Sequence, residues 1–279
     1  MRRRTIKNAV ILEDLSSLSS ISMNVAVPIV ASFGLRALSI PVQLLATQSE
    51  VGDDHYGVSL NKWLNHTLET AHQQIQNQEN YGLVGYLGRS DLVDELLQSE
   101  LINDFKLLLI DPAMADQGKY YPHLDDAYMR KLRQLLQFAD VVTPNMTELA
   151  LLTEMPYSEQ LTESELNLRI NQLRKYLKPK ATVIVTGIEQ TERIGCFWDA
   201  NVSHGTYFLR KIPGHFYGTG DSFAATLLGK LAQDEDLTDA IPEIMQLMQA
   251  AVENTHLSTD DLKLGIDITR ILQRDKKLI

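Results

Sequence analysis

The chain has 279 residues, 44% of them apolar, enough for a large buried core; its 26 Lys and Arg stand against 36 Asp and Glu. The formal charge of −10 argues against nucleic acid, which binds basic faces, and no apolar leader core follows Arg2-Arg3-Arg4. Cys196, the sole cysteine, cannot close an internal disulfide and fits a reducing compartment, the cytoplasm.

No linker-like shift in composition interrupts the chain, so one domain over 1–279 is expected. Ala9–Leu12 reads as a short buried strand, followed by a loop rich in serine (Ser16, Ser17, Ser19, Ser20, Ser22). Serines at a strand's carboxyl end either cap the next helix or offer hydroxyls at the ligand edge of a sheet. The most apolar stretch, Met23–Ala46, is broken by Pro28, Gly34, Arg36 and Pro41. It is expected to form a helix over Asn24–Phe33 with Gly34 at its end, then a strand over Ala37–Ile40, and not a membrane span. Leu44–Gly57 is polar and suits a flap over a site. Trp63–Gln78 has helical spacing, with Gln73–Asn80 as its solvated end. His55, His66 and His72 lack a metal-ligand spacing with a fourth partner and read as surface or packing residues.

Leu83–Leu87 is expected as a strand, and Ser90 as the cap of a helix through Leu97. Leu107–Asp111 (LLLID) is continuously apolar, ends in a carboxylate and is stopped by Pro112. Asp125–Phe138 is expected to be a helix and Asp140–Thr143 a strand. Asn145 and Glu148 then form a capping-box pattern, as do Thr162 and Glu165 before a helix over Leu166–Leu177. Thr182–Thr186 reads as a buried strand, and Gly195–Trp198 with Gly205–Leu209 as a hairpin across Asp199-Ala200-Asn201. Ile241–Leu257 is a long amphipathic helix, and Ile266–Leu272 a weaker terminal one. Apolar strands alternating with helices predict an α/β fold whose mostly parallel sheet is covered on both faces, with ligands beyond the strands' carboxyl ends.

The chain is organised around Phe216–Leu228 (FYGTGDSFAATLL). Gly218 and Gly220 allow a tight turn, and the apolar spacing after Asp221 is helical. A glycine turn opening a helix presents unpaired N–H groups and positive partial charge, a ready anion site. Asp221 is either a helix cap or a base that removes a proton from a group attacking phosphate.

Asp111-Pro112, Thr143-Pro144-Asn145-Met146-Thr147-Glu148, Thr186-Gly187 and Gly218-Thr219-Gly220-Asp221, in this order, resemble the ribokinase-like superfamily. The nearest branch is the pyridoxal kinase family, which shares its pattern with hydroxymethylpyrimidine kinases; the likeness runs from about Ala9 to Lys230. The resemblance implies a ribokinase-like three-layer α/β sandwich with ATP and Mg²⁺ as cofactors, phosphorylating the hydroxymethyl group of pyridoxal, pyridoxine or pyridoxamine. It implies Asp221 as general base and Gly218, Thr219 and Gly220 as the anion hole. Asp111, Asn145 and Glu148 would lie by the ATP phosphates, with Asp111 and Glu148 holding the metal partly through water. Thr186 and Gly187 would lie along the nucleotide, and Asp14, Ser16, Ser49 and Tyr86 would line the substrate pocket. A homodimer is expected, and a monovalent cation is left open.

Three departures bear on the pocket: Gln48 where the family usually has histidine, Ser19 where it often has glycine, and Ala115 where it usually has glycine. Two alternatives follow, a hydroxymethylpyrimidine kinase and a non-catalytic vitamin- or nucleotide-binding homologue.

Overall fold

Alternation along the first strand sets the layers. Val10 and Leu12 join one apolar cluster and Ala9 and Ile11 the other, all four fully buried. A strand buried on both faces needs cover on both. The computed structural model describes residues 6–50, 57–259 and 261–273. In chain order the elements are β1 (Lys7–Ser16), α1 (Met23–Ser32), β2 (Arg36–Leu45), β3 (Gly57–Ser59), α2 (Asn61–Ile75), β4 (Glu79–Val84), α3 (Ser90–Gln98), β5 (Leu107–Ile110), β6 (Ala115–Asp116), β7 (Lys119–Tyr120) and α4 (Asp126–Leu135). There follow β8 (Val141–Val142), α5 (Met146–Thr153), α6 (Glu163–Leu173), β9 (Thr182–Gln190), β10 (Arg193–Asp199), β11 (His204–Arg210), α7 (Thr219–Ala232), α8 (Leu237–Ser258) and α9 (Thr269–Leu272).

Among the described residues a nine-stranded sheet runs β11-β10-β9-β8-β5-β4-β1-β2-β3. The pairs from β2 through β9 are parallel, while β3 and the β9–β10–β11 meander are antiparallel. Helices α2 to α6 cover one face and α1, α7, α8 and α9 the other, giving three layers. Where α7 crosses α1, a Cβ on Gly229 would stand 2.2 Å from the Phe33 ring, so the close approach needs a residue without one.

The stretch 23–46 is a helix, a turn at Gly34 (φ +77°) and a strand. Among the described residues no helix is long and apolar enough to cross a membrane. The middle of the expected flap, 51–56, and His55 lie outside the described residues. His66 is exposed, and His72 pairs with Asp104 at 2.7 Å.

Local signals account for both capping boxes, which form at Asn145 and at Thr162. Three expectations need correction. The strand expected over 83–87 is β4, which starts at Glu79, so Glu79-Asn80 is not a helix tail. Asn80 is fully buried because its amide donates to Ile75 O at 2.8 Å and its Oδ1 accepts from Asn8 at 2.8 Å. Ser90 is inside α3, whose cap position is Arg89, and no side chain caps that end. The strand expected over Thr182–Thr186 continues to Gln190 and forms a second hairpin with β10.

Candidate active site

The parallel strands end along one edge, and the loops beyond them enclose a cavity of about 700 Å³. That volume is typical of a small-molecule site. Asp14, Ser49, Tyr86, Asp111, Asn145, Glu148, Thr186, Gly187 and the turn 218–221 all line it. Ser16 does not. It is fully buried behind Asp14 and donates its hydroxyl to Asp14 Oδ2 at 2.7 Å. The expectation that Ser16 faces a ligand is therefore replaced by one in which it orients Asp14.

Gly218 takes φ +82°, which a side chain resists, and caps α7. A Cβ there would also stand 2.8 Å from Ser20 O. The first intrahelical bond runs from Ser222 N–H to Gly218 O at 3.0 Å. The N–H groups of Thr219, Gly220 and Asp221 thus open the helix without earlier acceptors in it, as an anion hole requires. Asp221 sits in this first turn, and its Oδ2 accepts the Ser22 N–H at 2.7 Å. Ser22 is the cap position of α1, so two helix N-termini meet at one carboxylate.

Asp111 follows β5, its backbone N–H tied to Val84 O at 2.8 Å. A Cβ on Gly220 would meet Asp111 Oδ2 at 3.6 Å, which puts the glycine turn against this carboxylate. Glu148 accepts from Met114 N–H at 3.1 Å through Oε1 and from Asn145 N–H at 2.9 Å through Oε2. It therefore serves as a capping-box residue and lines the cavity at once. Asn145 donates to Ala115 O at 2.7 Å, and an isolated bridge joins it to Thr186.

Burial governs the electrostatics. It pushes Asp14 up to about 6, against the Ser22 and Ser16 hydrogen bonds. It raises Asp111 to about 8, with the Asp221 charge adding to the effect. Glu148 is pushed well above the carboxylate range by burial and then by Asp111. Burial also raises Asp221, with the Ser22 N–H opposing it. A carboxyl raised by desolvation is, once ionised, the stronger base.

Three residues were missed by sequence reasoning. Glu13, the residue before Asp14, is buried against Gly85 with neither carboxylate oxygen hydrogen-bonded. An acid ending the apolar run Ala9–Leu12 was the available signal. Tyr121 lines the cavity and meets Tyr86 edge-on at 6.1 Å. Half-buried Glu50 lines it from the flap. Nothing local in sequence marks either residue. The three departures are accommodated: Gln48 N–H donates to Ser19 Oγ at 3.3 Å, the Gln48 amide donates to Lys263 O, and Ala115 is buried beneath Asn145.

Buried acids beside unpaired N–H groups fit a site for an anion accompanied by a cation. The sequence profile of the phosphomethylpyrimidine kinase family matches residues 31–265. The chain belongs to that family. A Caenorhabditis elegans protein provisionally named a pyridoxal kinase is 28% identical over 250 residues, 84% of this chain and 71% of that protein. Pyridoxal kinase from Lactobacillus plantarum superposes with a TM-score of 0.87 at 29% identity, covering 97% of this chain and 96% of its own. A Bacteroides thetaiotaomicron protein provisionally named a phosphomethylpyrimidine kinase, crystallised with pyridoxal, gives 0.87 at 25% identity over 97% and 96%. The three layers are thus those of the ribokinase-like fold that these kinases share.

Proposed function

We propose that this chain is an ATP-dependent kinase that phosphorylates the hydroxymethyl group of pyridoxal or a related B6 vitamer. The observation that carries the reading is the position of Asp221, at two converging helix N-termini and on a cavity shared with Asp111 and Glu148. Asp221 accepts the proton of the substrate hydroxyl as that oxygen attacks the γ-phosphorus. The bond from the γ-phosphorus to the bridging oxygen breaks, and ADP leaves. The N–H groups of Thr219, Gly220 and Asp221 meet charge growing on the transferred phosphoryl. Such transfer depends on position and charge neutralisation more than on covalent chemistry.

Asp111 and Glu148 fit Mg²⁺, which neutralises phosphate charge when bound. Among the described residues no group of three acidic, histidine or cysteine side chains could hold an ion, so the fit is to a cation that keeps water ligands. Thr186 and Gly187 line the strand-end wall available to a nucleotide. A homodimer belongs to this proposal, and the hollow at β1, α1 and β2, where Asn24 and Ser39 accompany Leu15, Met23, Val27, Pro28 and Pro41, offers one surface for it.

A second reading, a hydroxymethylpyrimidine kinase, is favoured by the matched family. Both substrates offer the same alcohol to Asp221. ADP release measured with pyridoxal, pyridoxine, pyridoxamine and hydroxymethylpyrimidine separates them. The first reading expects a B6 vitamer to give the highest kcat/KM; a strong preference for the pyrimidine overturns it.

A further inference from the structure

The basic residues of the cavity lining cluster on one strand and the loop after it, where Asp116 and Glu189 accompany them. They are Arg210, Lys211 and His215, which end or follow β11, at the far edge of the sheet from β1 and β2. Lys211 is already paired with Glu189, at 2.5 Å. At the end built by β1, β2 and β4, none of the described lining residues is basic, and Asp14 and Glu50 are acidic.

Asp14 is 1% exposed, and its Oδ1 has no hydrogen-bond partner, although Oδ2 takes the Ser16 hydroxyl. A buried acceptor left open is costly and asks for a donor. Glu50 lies within electrostatic reach of Tyr86, Tyr121, Tyr217, Asp116 and Asp221. Tyrosine rings present negative faces and ionised carboxylates only accept, while the Ser49, Tyr86 and Tyr121 hydroxyls can donate. A neutral oxygen brought here finds those donors but offers the carboxylates no positive charge. An ammonium brings donors and charge, and both are answered.

We infer that the ring end of this site selects a substrate bearing a protonated amine beside its hydroxymethyl group, with Asp14 and Glu50 as specificity-determining carboxylates. This rests on the kinase reading above. Among the vitamers, the aminomethyl form is therefore favoured over the hydroxymethyl form, which is nearly the same size and carries no charge.

The test compares kcat/KM for pyridoxamine and pyridoxine in the full chain and in Glu50→Gln. Charge-assisted hydrogen bonds predict a preference for pyridoxamine of about tenfold or more, expressed mainly in KM. In Glu50→Gln that ratio falls towards one, because pyridoxamine loses more than pyridoxine. A ratio at or below one in the unaltered chain, or equal losses for both substrates in the variant, overturns the inference. Should no ring substrate be phosphorylated, the kinase reading fails separately. Calorimetric binding of the same two vitamers then decides: tighter pyridoxamine binding supports the inference, and equal affinity overturns it.

Discussion

Asp14 is held in a cost that its ligand-free surroundings do not relieve. Burial raises its carboxyl to about 6 from an ordinary 3.8. A raised folded-state pKa means that the folded protein holds the proton more tightly than the unfolded chain. That contribution to stability is complete below about 3.8 and is lost as pH rises through about 6. The loss is on the order of 3 kcal/mol. Glu50, raised to about 7 by burial, acts with the same sign at higher pH. Asp14→Asn removes the titration, so the thermal midpoint of the ligand-free variant should fall less between about pH 4 and 7. At neutral pH the variant should also be the more stable protein. Chemical denaturation across that range checks both points, and an unchanged pH slope contradicts the assignment.

Helices α1 and α7 reach the site through a short strap before α9. Ser20 N–H donates to Leu264 O at 2.5 Å, and Ile266 N–H to Tyr217 O at 3.0 Å. Gly265, at φ +93°, leaves no room for a Cβ, which would stand 2.2 Å from Ser20 O. The strap thus holds the loop that carries the Ser22 N–H and the turn that carries Asp221. Gly265→Ala is expected to destabilise by about 1–3 kcal/mol and to lower turnover more than nucleotide affinity. Wild-type unfolding and turnover would show that the strap does not position the site.

Legibility followed range in sequence. The capping boxes at Asn145 and Thr162 depend on residues three apart, and both were readable. The glycine turn and Asp221 were readable for the same reason. The start of β4 was not, because one of the partners that allows Asn80 to be buried is Asn8, 72 residues away. Ser16 and Glu13 show the same limit at the site. The end of β1 has an irregular register near Glu13 and Leu15, so period-two alternation does not say which side chain reaches the cavity. The meeting of Tyr86 with Tyr121 and the approach of Glu50 arise only when loops from separate crossovers come together.

Across the molecule, one sheet edge gathers acids from β1, α5 and α7 and from the residue after β5. These acids line the cavity in which the anionic nucleotide is proposed to bind. A cation reconciles the two, and pH should control it. Asp111 is raised to about 8, and Glu148 is raised well above the carboxylate range. Mg²⁺ competes with those protons. Its addition to the ligand-free protein should raise the thermal midpoint more at about pH 8.5 than at about pH 6, and chelation should reverse the gain. Equal shifts at both pH values would place the ion elsewhere.

The central claim is that Asp221 takes the proton of a ring-borne alcohol during phosphoryl transfer. It is tested most directly by single-turnover ADP formation with ATP, Mg²⁺ and pyridoxamine in the unaltered chain and in Asp221→Asn, alongside ATP affinity. The account predicts substrate-dependent ADP formation that falls about 10²–10⁴-fold in the variant while ATP binding is retained. Comparable rates in the two proteins would contradict it.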